Sequence, residues 1–138
     1  MAASPEPWQP LLDALAPLRS GWPAPDWTWD PRLECATSPF DVSLAPRVRD
    51  ALAPALPAEW TATSISGAPD GVRALSTRSG SLRANQLLLT GPEVAGMFPF
   101  ALWWPWGDGA RVSVRVGIAS AERPKELSAS IRALFGLP

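Results

Sequence analysis

The chain has 138 residues, of which 46% are apolar and 18% charged, with a net charge of −1 and a mean hydropathy of +0.02. Those values place it among folded chains and exclude a disordered charged segment, and the length reads as one domain (1–138) behind a Pro-rich lead-in at 1–10. The absence of His and the single Cys exclude Ser-His-Asp and Cys-His catalysis, His-ligated metals, a multi-Cys zinc site and an intrachain disulfide.

Charge is unevenly spread, with −5 over residues 1–70 and +3 over 71–118. Eight Trp stand out in a chain without Tyr. The opening residues lack the basic start and apolar core of a secretory signal. With a lone Cys35, the expected compartment is the cytoplasm. The most apolar run, 94–106, has 13 residues and contains Pro99 and Pro105, so it is too short for the roughly 20 residues of a spanning helix.

In chain order, Leu11, Leu12, Leu15 and Leu18 form one stripe of a short helix that starts at Pro10 and stops at Ser20-Gly21. The Trp/Pro-rich stretch 21–31 follows, and 26–35 reads as a short rim strand interrupted at Pro31. Residues 38–56 predict a second helix, capped by Ser43, with Leu44, Val48, Leu52 and Leu56 on one face. Three strands, 59–66, 72–78 and 82–90, are expected as a meander turning at Pro69-Asp70-Gly71 and Ser79-Gly80-Ser81. The last helix runs from a Ser120 cap past Pro124, buries Leu127, Ile131, Leu134 and Phe135, and ends at Gly136.

Between meander and last helix, 98–120 predicts a β-hairpin turning at Gly107-Asp108-Gly109. Val112, Val114, Val116 and Ile118 alternate with Arg111, Ser113, Arg115 and Gly117. On the first arm, Phe98, Phe100, Leu102 and Trp104 are assigned to the core, and Trp103 outward. Pro99 and Pro105 share a parity, so one side of that arm lacks backbone donors at both ends and the second arm must pair through the even-numbered residues. The arm is therefore expected at a sheet edge. Together these elements predict an α+β two-layer sandwich, a mostly antiparallel sheet of about five strands with helices on one face.

For function, the best carboxylate pair is Asp26 and Asp30 of DWTWD. Extended chain would hold them about 13 Å apart, beyond the roughly 5–9.5 Å of glycosidase pairs. Lys125 and Cys35 read as a surface amine and a small buried hydrophobe. No phosphate loop or dinucleotide fingerprint is present, and neither cofactor nor metal is expected. The expectation is a non-enzymatic protein-interaction module, in an adaptor, chaperone-like or neutralising role, because Trp and Arg dominate interface hot spots. Its partner-binding residues would be Trp103, Trp106, Trp27, Trp29, Arg111 and Arg115. One alternative is a small apolar or aromatic ligand held between sheet and helices, in a cavity lined by Trp60 and Trp104. Another is nucleic-acid binding by a sheet face bearing Arg73, Arg78, Arg83, Arg111 and Arg115, which the near-zero net charge disfavours.

Overall fold

A computed structural model describes residues 6–24 and 26–138; residues 1–5 of the Pro-rich lead-in, and Pro25 in the Trp/Pro-rich stretch, lie outside the described residues. The elements are α1 (Gln9–Ser20), β1 (Thr28–Asp30), β2 (Cys35–Asp41), α2 (Ala45–Leu52), β3 (Ala58–Trp60), α3 (Asp70–Arg78), β4 (Leu87–Thr90), β5 (Phe98–Pro105), β6 (Arg111–Ala119) and α4 (Lys125–Leu134). The fold is α+β. Its sheet is antiparallel throughout and has six strands in the order β1-β2-β6-β5-β4-β3, one more than expected.

Both faces of the sheet carry a core. On the first face, α1 supplies Leu11, Leu12, Leu15 and Leu18, α2 supplies Val48 and Leu52, and α4 supplies Leu127 and Ile131. These pack against Phe40, Ala101, Trp103, Val112, Val114 and Val116 of the sheet. On the second face, Val72 and Leu75 of α3 cover Cys35, Leu88, Phe98, Phe100 and Leu102. Burying one such side chain contributes about 1.5–3 kcal/mol, so each layer is a substantial part of the net stability. Three helices lie on the expected face, and the fourth lies on the other.

That fourth helix replaces a predicted strand. Pro69 and Asp70 read equally well as a turn or as a helix start, and the spacing of Val72, Leu75, Ser76 and Ser79 is helical rather than alternating. Asp70 sits in the first turn, where the helix dipole favours an acid, and pairs with Arg73 one turn on. The predicted 38–56 helix is likewise shortened. Ala36, Ser38 and Phe40 alternate inward on β2, and a 3-10 turn at Val42–Leu44 then leads into α2. Asp41, not Ser43, caps that turn by accepting the Ser43 N–H at 2.9 Å. At the start of α4 the N-cap is Pro124, and among the described residues no side chain, Ser120 included, caps it.

The first hairpin arm is not an edge. β5 lies between β6 and β4, pairing with Ala119–Val112 on one side and with Thr90–Leu87 on the other. The parity argument holds, because Trp106 N–H bonds Arg111 O at 2.8 Å toward β6, while Pro99 O accepts from Gly91 N–H at 3.0 Å toward β4. What fails is the step from missing donors to an edge. β4 pairs only Phe100–Trp103, so Pro99 and Pro105 bracket a short ladder and limit its length without forbidding it. Pro39 of β2 follows the same rule. It stands beyond Cys35–Thr37, the only part of β2 that β1 covers.

The hairpin register also differs from expectation by one residue. Trp106 pairs across to Arg111, so the loop is Gly107–Ala110, four residues rather than three. Asp108 Oδ1 accepts the N–H groups of Ala110 at 2.8 Å and Arg111 at 3.1 Å, and Gly109 takes φ +69. A one-residue change in loop length transfers a whole arm to the opposite face. Trp103 and Ala101 therefore join the valines of β6 on the first face, and Phe98, Phe100, Leu102 and Trp104 line the second with Arg115 and Gly117. Gly117 is required opposite Phe100, since a Cβ there would stand 3.0 Å from Cys35 Cβ and 3.2 Å from the Phe100 ring.

Candidate functional site

Helix α3 covers the second face only around Phe98, Phe100 and Leu102. Toward the hairpin loop the same face is open, and there the alternation of β5 and β6 sets Trp104 and Trp106 beside Arg111, Ser113 and Arg115. The Arg115 guanidinium carbon lies 4.2 Å from the Trp104 ring centroid and that of Arg111 lies 5.3 Å from Trp106. Trp106 is 41% exposed and donates its indole N–H to Ser113 Oγ at 2.7 Å, which ties the ring to β6. Each guanidinium–ring stack is worth about 0.5–1 kcal/mol where exposed and more where water is excluded.

Arg115 is fixed from the other side by β1. Its Nε donates to Asp30 Oδ2 at 3.0 Å, with both side chains mostly buried, while Asp30 Oδ1 accepts the N–H groups of Arg32 at 2.9 Å and Leu33 at 3.2 Å. Burial raises the Asp30 pKa, but the hydrogen bonds from Arg115, Leu33 and Arg32 outweigh it and hold the carboxyl below its ordinary value of 3.8. Among the described residues, three buried polar atoms on this face have no partner: Arg115 Nη1, Trp104 Nε1 and Thr37 Oγ1. Thr37 stands directly across from Arg115. Indoles and guanidinium groups are thus presented in one layer, anchored by the hydrogen bonds of Arg115 to Asp30 and of Trp106 to Ser113.

The sequence-derived residues divide between this layer and the core. Trp106, Arg111 and Arg115 converge on the open face. Trp103, expected outward, is only 7% exposed and packs edge-on against Phe40 with centroids 5.6 Å apart. Trp27, expected partly exposed, is 8% exposed and sits between Trp22 and Phe135, with centroids at 4.4 and 4.6 Å. Trp29 is half-buried on the first face, under Arg132 of α4 at 4.8 Å. Trp104, expected in the core, Asp30, weighed only as half of a carboxylate pair, and Ser113 join this layer without having been assigned to a binding surface from the sequence. A four-residue hairpin loop would have revealed Trp104, because it puts even residues of one arm beside odd residues of the other.

The five-Arg sheet face does not form. Arg73 and Arg78 lie on α3 and Arg83 lies in the loop before β4, leaving Arg111 and Arg115 on β6. Cys35 is fully buried, and its thiol is pushed up to about 12, chiefly by burial and then by the Asp30 charge. Among the described residues, no three His, Cys, Asp or Glu side chains gather as a metal site, and no helix is long and apolar enough to cross a membrane.

A second concavity lies at the other end of β5. An open groove of about 350 Å³ is lined by Trp60, Pro69, Val72, Pro92, Phe98 and Glu93 among others, between α3 and the β3 edge. The Trp60 indole N–H is engaged by Thr90 Oγ1 at 3.0 Å. Trp104 does not line this groove. Comparison of the chain with protein-family models, with curated proteins and with solved structures gives no match.

Proposed function

We propose that the chain is a non-enzymatic protein-binding module whose contact surface is the open half of the second sheet face. The observation that supports this reading is the pair of Trp–Arg stacks, Trp104 with Arg115 and Trp106 with Arg111, set side by side on an uncovered sheet. Trp and Arg are among the side chains that most often dominate interface energetics, because the indole offers a large rigid area and the planar guanidinium stacks and donates several hydrogen bonds from one fixed fork. Asp30 and Ser113 hold Arg115 and Trp106 in place before a partner arrives, which lowers the ordering cost of association. The residues best suited to nucleophilic chemistry are poorly placed for it. Cys35 is sealed in the core, and Asp30 is committed to Arg115 and the following turn.

Affinity capture from a lysate of the source organism, quantified by mass spectrometry, tests the reading. A specific partner should be captured by the wild type and by Arg47→Ala, which alters an exposed residue of α2, and lost at least tenfold with Trp106→Ala/Arg111→Ala. Equal capture by all three proteins would refute it. A second reading, binding of a small apolar or aromatic ligand, is favoured by the groove of about 350 Å³, a size within the range of small-molecule pockets.

A further inference from the structure

The groove between α3 and the β3 edge carries its own chemistry, and assigning it a ligand class rests on the small-ligand reading of the chain. Its walls are apolar and aromatic, with Trp60, Val72 and Phe98 flanked by prolines. The Trp60 N–H is already bonded to Thr90, so the indole offers a ligand its ring rather than its donor. Glu93 is the one charged side chain among the lining residues, and no hydrogen bond or ion pair engages its carboxylate among the described residues.

The N-terminus of α3 also borders the groove, through Pro69, Gly71 and Val72, and its dipole has the opposite sign. A helix end carries about half a positive charge. Asp70 in the first turn and its ion-pair partner Arg73 offset one another, so the dipole and the unpaired Glu93 remain. Their sum leaves the groove negative by about half a charge. Aromatic ring faces favour cations as well.

We infer that this groove takes an organic cation, an ammonium group carried on an apolar or aromatic body, with the body against Trp60, Val72 and Phe98 and the charge at Glu93. Because Glu93 is exposed, the charge sets selectivity and the apolar walls supply most of the affinity.

Amide and indole chemical-shift titrations with phenethylamine, phenethyl alcohol and phenylacetate separate the possibilities. The amine should bind at least threefold more tightly than the alcohol, with the acetate weakest, and the shifts should centre on the Trp60 indole, Val72 and Phe98. Glu93→Gln should bring the amine to parity with the alcohol and leave the alcohol unchanged. As an exposed position, Glu93 tolerates this change without unfolding, which the amide spectrum itself checks. Equal binding of amine and alcohol by the wild type, or preference for the acetate, would overturn the cation assignment while leaving the groove a ligand site. Absence of binding by all three probes, or shifts centred elsewhere, would overturn the ligand reading together with it.

Discussion

Strand β5 runs through two environments on one sheet face. At its beginning, Phe98, Phe100 and Leu102 lie under α3 and are nearly or wholly inaccessible. Toward its end, Trp104 is half-buried at the margin of that cluster and Trp106, just beyond the strand, is 41% exposed, each with an arginine side chain over its ring. The residue types barely change between the ends, since large apolar side chains occupy alternate positions throughout. What changes is the overlying layer, because α3 is nine residues long and reaches only part of the sheet. Aromatic residues are core where a helix covers them, and stay partly exposed where it stops.

Stability measurements can break this contrast. Phe100→Ala should cost about 3–5 kcal/mol in urea denaturation, because a ring with 1% exposure leaves a cavity against Cys35 and Gly117. A loss below about 1 kcal/mol would mean that the covered end is not packed as described. At the same end, the Cys35 thiol with a pKa of about 12 holds about a thousandfold less thiolate than one at 9.0. Iodoacetamide at pH 8 should therefore modify Cys35 only in denaturant. Modification in native buffer at the rate of an exposed thiol would contradict its placement.

The Asp30–Arg115 pair borders both regions. Asp30→Asn should cost about 1–2 kcal/mol at pH 7, as charge-assisted hydrogen bonds are lost. The folded-state pKa of Asp30 is depressed, so its contribution is present above the ordinary value of 3.8 and disappears as pH falls below it. Urea melts at pH 6 and pH 3 should show the gap between wild type and variant closing at the lower pH. A constant gap would show that the carboxylate charge is not what stabilises. At the open end, Trp106→Ala should cost about 1–2 kcal/mol, the summed value of an exposed stack and one hydrogen bond, and so well below the loss at Phe100.

The α+β class, the antiparallel sheet, the hairpin and the first and last helices are legible in local pattern, because leucine spacing and strict alternation report directly on one buried face. Legibility ends where two structures share a signal. Pro69-Asp70-Gly71 starts a helix as readily as it turns a hairpin, and the outcome rests on Val72 and Leu75 meeting Phe98 and Leu88 from distant sequence. The prolines of β5 reveal the right parity but not its consequence, since the length of β4 is not written in β5. For the candidate site, position along the hairpin is enough to place Trp106, Arg111 and Arg115 on one face. Trp103 and Trp104 exchange core and surface because Ala110 belongs to the hairpin loop, a distinction of one residue.

Hydroxyl-radical footprinting of the chain, free and bound to its captured partner, reads that exchange directly. Binding on the open half of the face predicts that Trp104 and Trp106 lose reactivity in the complex while Trp60 keeps its own and Trp103 stays unreactive in both states. Protection confined to Trp60, or unchanged reactivity at Trp104 and Trp106, would contradict it.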